Sequence, residues 1–106
     1  MTEDKREKII KLIKNAAADF VQLESSGISL ITITDVRLSK DEKYANILFT
    51  VLPEDKEEQA LDFLKRMRAD FKEYIKRKTR LGRIPMFDFQ IDLGEKSKQR
   101  LDRIPL

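Results

Sequence analysis

The sequence contains no cysteine and no histidine. Without cysteine there is no disulfide, no thiol nucleophile and no thiolate metal site. Without histidine the commonest general base and the commonest metal ligand are both missing, so Ser25, Ser26, Ser29, Ser39 and Ser97 have no imidazole to activate them. Glycine and proline number only three each, too few for long disordered linkers. Gly27, Gly82 and Gly94 are isolated, and no G-x-x-x-x-G-K phosphate loop occurs. No stretch approaches the roughly 18 apolar residues of a membrane helix, and Met1 to Lys8 is mostly charged, unlike a secretory signal. These absences predict a cytoplasmic binding protein, not an enzyme, with no cofactor, no metal, no membrane partner and no small-molecule substrate.

What is present is charge, unevenly placed. The 106 residues have room for one domain, 1–106, closed by a short C-terminal tail over 94–106. The apolar fraction of 41% is ordinary, whereas the charged fraction of 39% exceeds the usual ~25%. Segments 1–24 and 84–106 each balance to zero, and 25–64 is acidic. Segment 65–83 carries Lys65, Arg66, Arg68, Lys72, Lys76, Arg77, Lys78, Arg80 and Arg83 against only Asp70 and Glu73. The whole positive excess therefore sits in one block.

Hydrophobic spacing gives the elements. Ile9, Ile13, Ala16, Ala17, Phe20 and Val21 recur at threes and fours and predict a helix over 5–24, ended by Gly27. Residues 28–38 are rich in β-branched side chains, with a change of parity that predicts a bulge near Thr34–Asp35. After the polar 39–43 link, Ala45, Ile47, Phe49 and Val51 alternate through 44–52, so the two strands form an antiparallel hairpin. Asp55 with Glu58 has the spacing of a capping box. The helical pattern that follows runs to about Leu81, where Gly82 stops it, and its length predicts a kink near Arg68–Ala69–Asp70. A third strand is expected over 84–93, with Phe87, Phe89, Ile91 and Leu93 facing one way. The order helix-strand-strand-helix-helix-strand implies an α+β two-layer fold, with helices covering one face of a three-stranded mixed sheet.

On a continuous helix, Lys65, Lys72, Lys76 and Arg80 form a ridge nearly opposite the apolar stripe of Leu64, Met67, Phe71 and Ile75. Like charges at i,i+4, as in Lys72–Lys76 and Lys76–Arg80, each cost about 0.2–0.5 kcal/mol. The bland reading is a solvated helix face. The single sign of the row, in an otherwise acidic or neutral chain, favours a polyanion partner instead. A membrane surface fits less well, because the core needs the opposite face of that helix. Asp88 and Asp92 share a strand face and have the types for acid–base or divalent-ion chemistry, but solvated strand residues explain them more simply.

The element order looks like a KH domain of the second topological type, a module that binds single-stranded RNA through a G-x-x-G loop. No G-x-x-G occurs here. The string Thr34-Asp35-Val36, Leu38-Ser39-Lys40-Asp41 and Lys43-Tyr44-Ala45, the run Leu81-Gly82-Arg83-Ile84-Pro85-Met86-Phe87-Asp88-Phe89 and the closing segment 94–104 resemble the ribosome-binding factor A family, in which a helix kink replaces that loop. Two positions depart from the family pattern. Ala69 stands where the kink usually has Gly, and Glu24 to Gly27 replace an Asp-Pro-Arg-Leu. The resemblance implies a monomer that binds 16S ribosomal RNA in the immature small (30S) subunit and promotes late maturation, including 16S rRNA processing. Lys65, Arg68, Lys72, Lys76, Arg77, Arg80 and Arg83 are the expected RNA contacts. A generic KH-like RNA module or a protein-interaction domain outside the ribosome is the alternative.

Overall fold

A computed structural model describes residues 4–24 and 29–94. The elements are α1 (Lys5–Glu24), β1 (Leu30–Leu38), β2 (Tyr44–Leu52), α2 (Glu57–Arg66), α3 (Arg68–Lys78) and β3 (Met86–Ile91), with a 3₁₀ turn at Glu54–Lys56. β1 and β2 pair antiparallel and β3 joins β2 in parallel, giving the sheet order β1-β2-β3. The α+β two-layer class and the mixed sheet agree with the sequence reading. Gly27 and the tail beyond Gly94 lie outside the described residues.

The core lies between the helices and one face of the sheet. Ile13, Ala17 and Phe20 of α1 meet Val36, Ile47, Phe49, Leu64, Phe71, Ile75 and Phe89 there, all buried. Phe71 joins three elements, with ring centroids 5.3 Å from Phe20, 4.8 Å from Phe87 and 6.0 Å from Phe89. Edge-on contacts of this kind add to area burial. The expected bulge is present, as a register shift between Ile33 and Asp35. It leaves Thr34 outside the ladder, and its hydroxyl donates to Asp92 Oδ2 at 2.5 Å, tying β1 to the residue after β3.

The hairpin turn is held by side chains. Asp41 Oδ1 accepts from Ser39 Oγ at 2.7 Å and from the Lys43 N–H at 3.1 Å, while Ser39 Oγ accepts the Tyr44 N–H at 3.0 Å. The bond from Ser39, then that from the Lys43 N–H, lowers the pKa of Asp41. Glu42 sits at φ 60°, where Cβ crowds the following carbonyl. Arg6 of α1 donates to Ser39 O at 2.9 Å and to Leu38 O, pinning the first helix to this turn.

Four boundaries differ from expectation. Asp55 falls inside the 3₁₀ turn, where Lys56 N donates to Pro53 O at 3.0 Å, so it is not an N-cap and no side chain caps α2. The helical break comes one residue early, at Met67. α3 ends at Lys78, not near Leu81, because Thr79 turns extended and its hydroxyl donates to Ile75 O at 2.6 Å. β3 spans Met86–Ile91, leaving Leu93 exposed beyond it.

Candidate nucleic-acid interface

The break between α2 and α3 shapes the basic region. Met67 has φ −89° and ψ 5°, and its N–H is shared between Phe63 O and Leu64 O, each at 3.1 Å. Its carbonyl then accepts the Phe71 N–H at 2.8 Å, so one residue closes α2 and opens α3. A negative φ needs no glycine, which accounts for a break with Ala69 in place.

The break removes Lys65 from the expected ridge. Lys65 Nζ lies 3.0 Å from Asp88 Oδ1 and Arg68 Nη1 3.4 Å from the same oxygen. Arg68 Nε also donates to Lys65 O at 3.0 Å, satisfying a carbonyl at the end of α2. Partial burial raises the pKa of Asp88, but the Lys65 and Phe89 N–H bonds and the charges of Lys65 and Arg68 outweigh it, so the carboxyl is held below its usual value. Asp92 is also lowered, by the Thr34 hydroxyl first and the Gly94 N–H second. The two carboxylates that share a strand face thus have separate structural partners. A shallow concavity of about 550 Å³ beside the break is lined by Asp62, Lys65, Arg66 and Arg68.

The remaining expected contacts lie further along. Lys72, Lys76 and Arg77 are exposed on α3, and Lys76 reaches Glu73 at 3.4 Å. Lys76, Arg77 and Lys78 fill the last turn, where cations complement the helix dipole. Arg80 and Arg83 are exposed on the loop after α3. Thr79 positions that loop, accepting the Leu81 N–H at 3.3 Å while bonded back to Ile75. The predicted row is therefore two groups, one clamped at β3 and one exposed along α3 and its loop.

Sequence reasoning missed a third group. The loop folds back so that Arg80 and Arg83 share a cleft of about 460 Å³ with Lys5 and Lys8 of α1 and Glu42 of the hairpin turn. Segment 1–24 balances to zero, which hid the two lysines; their place on one turn of α1, i and i+3, was the available signal.

A family model described as ribosome-binding factor A matches residues 5–105. The chain belongs to the ribosome-binding factor A family. Ribosome-binding factor A of Kosmotoga olearia is 29% identical over 98 residues, which span 92% of this chain and 78% of that protein. The crystal structure of ribosome-binding factor A from Thermus thermophilus superposes with a TM-score of 0.72 at 28% identity, over 80% of this chain and 92% of that one. A homology model of the Thermus thermophilus ribosome-binding factor A, fitted into a cryo-EM map of its complex with the 30S subunit, gives 0.67 at 29% identity, over 76% and 88%. The hairpin string and the kink in place of a G-x-x-G loop thus belong to a family frame.

Proposed function

We propose that this chain binds ribosomal RNA of the immature small subunit, as a cytoplasmic monomer, and promotes late maturation including 16S rRNA processing. It acts by binding energy and not by chemistry. The observation that carries the reading is the exposed group Lys72, Lys76 and Arg77 on α3, whose Phe71 and Ile75 are committed to the core, with Arg80 and Arg83 on the loop that follows. The relative that lies in a 30S complex supports the choice of subunit. Lys65 and Arg68 play a supporting part, because they share the single carboxylate of Asp88, which offsets one of their two charges.

Two measurements test the proposal. Each cation on a phosphate of a single strand contributes about −0.7 to the slope of log K against log salt, so five give a slope at least as steep as about −3.5. A slope near zero with a 16S ribosomal RNA transcript would remove the basic group as the binding surface. In cell extract the protein should co-sediment with free small subunits and not with mature ribosomes. The variant Lys72→Glu/Lys76→Glu/Arg80→Glu should lose that co-sedimentation, and its retention would place the contact elsewhere.

A further inference from the structure

The cleft between α1, the hairpin turn and the loop after α3 gathers four cations and one acid. Lys5 and Lys8 come from the first turns of α1, and Arg80 and Arg83 from a loop more than seventy residues later. Among the described residues none of these four side chains has a hydrogen-bond or ion-pair partner. Gathering like charges opposes folding, by an amount that solvent screens because all four side chains are exposed. An anion seated between them reverses the sign of that term. Arg offers a planar fork to phosphate oxygens and Lys a mobile point charge, so the set suits a phosphodiester. A volume of about 460 Å³ lies within the usual size of ligand clefts, roughly 300–1,000 Å³, and admits a phosphate with its sugar. Lys76, Arg77 and Lys78 immediately precede this loop, so a strand lying along α3 can continue around its end.

We infer that this cleft clamps a phosphodiester segment of the bound RNA, with Lys5 and Lys8 completing a site begun by Arg80 and Arg83. The inference rests on the RNA-binding reading above. Glu42 is the one acidic side chain in the cleft and sets its affinity from the unfavourable side.

Salt titrations with a 16S ribosomal RNA transcript test it. Adding two phosphate contacts takes the wild-type slope to about −4.9, and Lys5→Ala/Lys8→Ala should return it to about −3.5. At 0.1 M salt two such contacts are worth about fivefold each, so that variant should bind about 25-fold more weakly, while Lys5→Arg/Lys8→Arg stays near wild type. Glu42→Gln should bind more tightly, by roughly two- to fivefold, an outcome that damage to the fold cannot mimic. Wild-type slope and affinity in both Lys5→Ala/Lys8→Ala and Glu42→Gln would overturn the cleft while leaving the α3 surface intact. A flat wild-type slope would instead overturn the RNA-binding reading itself. Weaker binding of Lys5→Ala/Lys8→Ala to assembled subunits, with unchanged affinity for the bare transcript, would assign the cleft to a ribosomal protein and also overturn the inference.

Discussion

One oxygen of Asp88 accepts three hydrogen bonds, from the Phe89 N–H at 2.9 Å, from Lys65 at 3.0 Å and from Arg68 at 3.4 Å. β3 is an edge strand, and an unpaired edge N–H is a template for another chain. The carboxylate occupies one such donor, and the two cations reach it from the α2–α3 junction. Because the pairs are half exposed, solvent screens them, and Asp88→Asn should cost about 0.5–1 kcal/mol at neutral pH. The folded-state pKa is depressed, so the contribution is complete above the ordinary carboxylate range and is lost as pH falls through the depressed value. Urea midpoints of wild type and Asp88→Asn should therefore differ at pH 7 and converge in acid. A gap that persists unchanged in acid would mean that the contact is not ionic.

At the scale of elements, the Met67 junction shows how the helical break forms with alanine at position 69. Its backbone lies at negative φ, and Ala69 lies in the first turn of α3. Ala69→Gly should therefore bring no relief. It should cost about 0.5–1 kcal/mol, the ordinary penalty of glycine in a helix, or a few degrees in thermal midpoint. A rise in midpoint would show that the junction is strained. The same elements show what a sequence can and cannot reveal. The strands, the bulge and the core faces follow from alternation of side chains, which is local, and they were legible. The ends of α3 and β3 were not, because they follow tertiary context: Thr79, unremarkable by composition, takes an extended backbone there. The basic row was legible as charge but not as shape. A helical wheel assumes one continuous axis, whereas the break at Met67 gives Lys65 to Asp88 and the end of α3 at Lys78 leaves Arg80 on the loop. Lys5 and Lys8 escaped notice because they share a cleft with Arg80 and Arg83 only through residues distant in sequence.

At the scale of the whole molecule, the net charge of +3 is the small remainder of a polarised distribution. Acidic side chains gather in 25–64, and the basic ones face outward along α3 and into the cleft at its end. Repulsion among those cations opposes folding, so added salt should screen it and stabilise the free protein. Salt should weaken RNA binding at the same time, giving opposite signs for the two effects. Thermal melts from low to moderate sodium chloride, beside binding curves over the same range, check this; a melt that falls with salt would contradict it.

The cleft also has a consequence for the order of synthesis. Its two halves leave the ribosome more than seventy residues apart, Lys5 and Lys8 before the hairpin and Arg80 and Arg83 after α3, and Arg6 holds α1 to the hairpin in between. A nascent chain carries the early lysines without their partners. The four cations therefore come together only once the loop after α3 has been made and has folded back against α1, so a chain interrupted within α3 lacks the cleft.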